Sequence, residues 1–139
     1  GLFGLANNGF PEAYQNAPAL SILRCFAARS GMAWVGGMAL GAGEGTIGGH
    51  PLEAKSANGI PLFRVSQALD AAGAALARGE ALPAAASQGM ASVPIPYMPR
   101  FIWHRLFMRG AASHWQAGAA SHGVSKADML AAPHGAPAR

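Results

Sequence analysis

The sequence predicts an α/β fold in which two parallel strands are bridged by a helix and followed by further helices. Three observations carry this expectation. An apolar run over residues 2–6 opens into the polar loop Asn7-Asn8-Gly9-Phe10-Pro11-Glu12 and then into a helical pattern. A second apolar run, residues 32–40, follows that helix after a short connection. This run is apolar at both odd and even positions, as in a strand covered on two faces of a parallel sheet. Two such strands joined by a helix make a βαβ unit, right-handed when the strands are parallel.

The first helix has clear signals at both ends. Asn16 is placed to cap it, Pro18 lies in its first turn, and Gly31 sits where a left-handed residue would end it. Leu20, Leu23, Phe26 and Ala27 recur at helical spacing and mark the buried face. Cys25, the single cysteine, lies inside this helix and reads as a buried structural thiol. In the strand that follows, alternation places Met32, Trp34, Met38 and Leu40 on one side and Ala33, Val35, Gly37 and Ala39 on the other. Residues 41–61 then form a glycine- and proline-rich stretch longer than most connections, which is functional or mobile.

A helix is expected over residues 62–78, with Val65, Leu69, Ala72 and Leu76 inward and Gly79 as its stop. A weaker one covers 83–91. Pro94, Pro96 and Pro99 then enforce an extended linker, and a helix runs from Arg100 to about His122 despite Gly110 and Gly118. Beyond Ser125 the composition reads as a frayed tail. The divisions are thus a partial α/β domain over 1–81, a helical extension over 82–126 and a flexible tail over 127–139.

Composition narrows the function classes. At 139 residues there is room for one domain, and only 12% of the residues are charged, under half the usual fraction of about 25%. Alanine and 19 glycines leave few large core fillers, so stability leans on a partner. One cysteine allows no internal disulfide, and neither a secretory leader nor an 18-residue apolar run is present, which reads as a cytoplasmic protein. The net charge of +4 is local. Residues 1–96 are neutral, whereas Arg100, Arg105, Arg109 and Lys126 occur within 97–126 without an acid. Basicity confined to one segment is no sign of a nucleic-acid partner.

Four features of the sequence bear on chemistry. Gly43-Glu44-Gly45-Thr46-Ile47-Gly48 fits the dinucleotide pattern G-x-G-x-x-G, but that pattern needs a helix starting within it, and a flexible glycine-rich loop is the better reading. The five histidines lack ligand spacing and no G-x-S-x-G elbow exists, so neither a metal site nor a hydrolase is expected. The segment 97–122 joins Phe101, Trp103, Phe107 and Trp115 to three arginines. It is either a helix packing its aromatic side on the domain or on a second subunit, which is preferred, or an interaction or membrane-surface module. The loop after the first strand is the remaining candidate. Its bland reading is an Asx turn; its functional reading is a set of amides and an aromatic wall for a flat ligand.

Taken together, Asn8-Gly9-Phe10-Pro11-Glu12-Ala13, Gln15-Asn16 and Gly31-x-x-Trp34-x-Gly36-Gly37-x-Ala39-Leu40-Gly41-x-Gly43 resemble the second half of flavodoxin-like NAD(P)H-dependent FMN reductases. The similarity spans residues 1–81 and, more loosely, the C-terminal helix. It implies a doubly wound five-stranded parallel sheet in which the two apolar runs are the fourth and fifth strands. It also implies that Asn8, Gly9, Phe10 and Glu12 border the flavin ring of FMN, with a nicotinamide nucleotide as hydride donor. No counterpart of the family's first three strands or phosphate-gripping loop is in the chain. The expectation is therefore a ring-side half that is inactive alone and relies on a missing N-terminal half or on a homo-oligomer.

Overall fold

The computed structural model describes residues 1–131 except Gly49, Leu52, Lys55, Asn58 and Pro96. Strand β1 (Leu2–Asn7) pairs in parallel with β2 (Trp34–Leu40), and α1 (Ala17–Arg29) connects them, so the expected βαβ unit forms. The class is α/β. Helix α1 covers one face of the strand pair. On the other face Met38 and Leu40 of β2 form one core with Val65, Ala68 and Ala72 of α3 (Phe63–Ala77) and Ala86 and Met90 of α4 (Ala84–Ala91). Helix α4, expected in the C-terminal extension, thus packs within the α/β core.

The expected alternation along β2 fails at one point. Leu2 pairs with Trp34 but Phe3 pairs with Gly36, so Val35 is an extra residue and the strand bulges there. One extra residue turns every side chain before it to the opposite face. Trp34 consequently lies on the α1 side, its ring with Leu20 and Leu23 over Gly4 and Gly37, while Met38 points to α3 and α4. Gly36 itself has φ of +138°, and a Cβ there would stand 2.5 Å from Leu82 Cβ. Only glycine meets both demands.

Both edges of the strand pair differ in what covers them. On the far side of β2, Leu82 N–H donates to Val35 O at 2.7 Å and Ser87 Oγ donates to Gly37 O at 3.0 Å. That edge is closed. On the far side of β1 no strand pairs among the described residues.

Elsewhere the elements mix expectation and correction. Helices α1 and α3 end at Gly31 and Gly79 as expected, each through the paired hydrogen bonds of a Schellman turn. The inward face of α3 is Val65, Ala68, Ala72 and Ala75, with Leu76 exposed. Cys25 is exposed, because it lies two residues before buried Ala27 and so about half a turn round α1 from it. The glycine-rich stretch holds a five-residue helix, α2 (Gly43–Ile47), and the antiparallel pair β3 (Ser56–Ala57) and β4 (Ile60–Pro61). The proline linker bends instead of running extended, with Tyr97 at φ of +61°, and its Pro96 is outside the described residues. Helix α5 (Arg100–Ser121) forms as expected. After it, α6 (Lys126–Leu130) replaces the first part of the expected tail, and the tail from 132 onward is outside the described residues.

Candidate functional site

The site is built where β1 and β2 end. Beyond the last paired residues the two chains stay joined main chain to main chain: Asn8 N–H donates to Leu40 O at 3.2 Å, Ala42 N–H to Phe10 O, and Gly43 N–H to Asn8 O at 3.0 Å. This close approach has a steric requirement. A Cβ on Gly41 would lie 2.6 Å from Pro11 O, and one on Gly43 would lie 2.5 Å from Asn7 Oδ1. Buried Ala42 takes φ of +56° to make the turn into α2.

The loop from Asn8 to Glu12 is organised from within. Asn8 Oδ1 accepts from Phe10 N–H at 3.1 Å, which is the Asx turn, and Asn8 Nδ2 donates to Glu12 O at 3.2 Å. Asn16 anchors the far end. It precedes α1 as expected, yet its Nδ2 donates to Ala13 O at 3.2 Å and to Leu40 O at 3.0 Å instead of its oxygen capping a helix N–H. The reason is geometric: residues 13–16 form a 3₁₀ turn, so Asn16 already has helical backbone angles and lies buried against the end of β2.

An open cleft of roughly 480 Å³ lies at this junction, lined by Asn7, Asn8, Gly9, Gly43, Glu44, Ile47 and Gly48. Of the four residues implicated by sequence, Asn8 and Gly9 line it. Phe10 is exposed beside it, and Glu12 turns away. The Glu12 carboxylate accepts from Gln15 Nε2 at 3.0 Å and lies 3.3 Å from His104 Nε2 of α5. Asn7 and the α2 residues were not singled out as site residues. The glycine pattern at 43–48 is their only signal in the sequence, and with Gly49 and Pro51 following it that pattern predicts a loop; a five-residue helix is too short to show a helical period.

Helix α5 lies against this rim. Trp103 is buried, Phe107 stacks on it at 5.8 Å in a tilted arrangement and abuts Gly45, and His114 Nε2 lies 3.8 Å from Glu44 Oε1. The cleft therefore has an amide (Asn7), a free-standing glycine main chain (Gly9) and an apolar wall (Ile47). Among the described residues its one charged lining residue is Glu44. Such a lining can exchange hydrogen bonds with a polar ligand. Thr46 Oγ1 on α2 is fully buried without a hydrogen-bond partner among the described residues and does not line the cleft.

Among the described residues no three His, Cys, Asp or Glu side chains converge to hold a metal ion, and no helix is long and apolar enough to cross a membrane. Compared with known proteins, the chain matches no family model, no curated protein and no solved structure.

Proposed function

We propose that this chain supplies the ring-side wall of an FMN site in an NAD(P)H-dependent oxidoreductase of flavodoxin-like fold, completed by strands pairing on the free edge of β1. The observation that carries the reading is the asymmetry of the two edges. Leu82 and Ser87 close the outer edge of β2, as suits a terminal strand, while β1 offers its edge to a neighbour. In open parallel sheets ligands sit at the carboxyl ends of the strands, where the cleft lies. β1 and β2 would be the fourth and fifth strands of such a sheet.

Gly9 and Asn7 would hydrogen-bond the ring edge and Ile47 would pack on its face, while Asn8 would shape the loop through its two internal bonds. Glu12 would act at one remove, by holding His104 of α5. The phosphate anchor would come from the completing strands, since among the described residues the one charged side chain lining the cleft is an acid. When bound, FMN would supply a ring that accepts hydride from a nicotinamide nucleotide.

Flavin fluorescence tests the reading. The chain alone should quench FMN weakly or not at all. Adding a polypeptide that supplies the family's first three strands and phosphate loop should restore quenching. Absence of quenching from the mixture, with both parts folded, would sink the proposal.

A further inference from the structure

Independently of the cleft, the outward side of α5 carries a surface that the described residues leave unpartnered. Its inward side is accounted for by Trp103, Phe107, His104 and His114. Of the two packing partners expected for the aromatic side, the domain or a second subunit, the domain does not cover Phe101 and Trp115, which are 74% and 64% exposed, and Met108 between them is 46% exposed. These three residues are seven apart. Residues at that spacing drift by only about 20° on a straight helix, so they form one line about 21 Å long.

The cations are arranged around this line. At 3.6 residues per turn Arg100 falls on one side of it and Arg105 and Arg109 on the other. All three are exposed, and none has an ion-pair partner among the described residues. The helix has no acidic residue in its 22 positions. From these facts we infer that α5 docks by its outer side on an anionic phospholipid surface, with Phe101, Met108 and Trp115 entering the interface and the arginines reaching lipid phosphates.

Two features favour a lipid surface over a protein groove or a second copy. A helix seated in a groove presents apolar anchors at three- and four-residue spacing. Along this line the positions between the anchors are His104, Arg105, Ala111 and Ala112, which leave one large side chain per two turns, and the other large exposed apolar side chains of the helix, Ile102 and Leu106, lie about 120° or more round it from the line. A flat, deformable surface accepts that spacing, and cations flanking an apolar line fit headgroups on either side. A second copy of α5 would bring three unneutralised arginines against three more.

Flotation of the intact chain with vesicles tests the inference. Binding is expected to phosphatidylcholine vesicles containing phosphatidylglycerol, not to phosphatidylcholine alone, and to weaken as salt rises. Replacing Arg100, Arg105 and Arg109 together by Gln should weaken it about a hundredfold. Replacing Phe101, Met108 and Trp115 together by Ser should weaken it at least tenfold, with an unchanged circular dichroism spectrum in both cases because every altered side chain is exposed. The proposal is overturned if anionic and neutral vesicles bind alike or if neither triple variant loses binding. It is equally overturned if the chain ignores vesicles and instead binds an acidic polypeptide, or self-associates in a way the Ser variant abolishes. Flavin quenching by the mixture with the completing polypeptide should be the same for the Ser variant as for the unaltered chain, which separates this outcome from that of the cleft.

Discussion

Asn16 joins three parts of the molecule with one amide. Its nitrogen bonds Ala13 O and Leu40 O, and Leu40 O also receives Asn8 N–H, so a single carbonyl ties the first loop, the 3₁₀ turn and the end of β2. Asn16→Asp keeps the shape but puts a carboxylate oxygen, which can only accept, against two carbonyls. Chemical denaturation should show a loss of about 3 kcal/mol or more, and a loss under about 1 kcal/mol would mean that the site relaxes easily. The importance of Asn16 was legible from its place before a helix; its partners were not, because Leu40 is 24 residues away. Thr46 is the converse case. A buried hydroxyl without a partner costs about 1–3 kcal/mol, and its short helix gave no periodicity from which burial could be read.

At the scale of elements, long periodic segments were legible and short ones were not. Helices α1, α3 and α5 begin and end within a residue or two of the positions that capping residues and apolar spacing mark. The bulge in β2 was not legible, because Val35-Gly36-Gly37 has small or apolar residues on both faces and alternation cannot detect an inserted one. The cap of α6 was present in the sequence as Ser125-Lys126-Ala127-Asp128, a capping box hidden inside a stretch that composition marks as a tail. Hydrogen bonds to Asp128, first from the Ser125 hydroxyl and then from its N–H, hold that carboxyl below its ordinary pKa of 3.8. A carboxyl with a depressed folded pKa stabilises the turn above the unfolded value and loses that contribution as pH falls through the folded one. Helical chemical shifts of residues 126–130 should therefore persist at neutral pH and fade below about pH 4. Shifts that do not change with pH would show that the box contributes nothing to α6.

For the whole molecule, the parallel βαβ unit and the junction loop were legible because both rest on local signals. What escaped was whatever depends on distant segments: the closing of β2 by Leu82 and Ser87, and the approach of α5 to Glu12 and Glu44. The unequal edges make a direct prediction. By the alternation of a strand, Phe3, Leu5 and Asn7 direct their main-chain groups to the free side of β1, while Gly4 and Ala6 face β2. In hydrogen exchange of the chain alone, the amides of 3, 5 and 7 should exchange well ahead of those of 4 and 6, and should slow once completing strands are added. Equal protection in the isolated chain would mean that the edge is already covered. A last consequence follows from the rim being stitched by main-chain hydrogen bonds between residues 8–10 and 40–43. Its outline does not depend on which side chains stand at positions 44 and 47, both of which line the cleft. Substitution there alters the lining of the cleft without redrawing it, whereas any side chain at position 41 or 43 would run into Pro11 or Asn7 and force the rim apart.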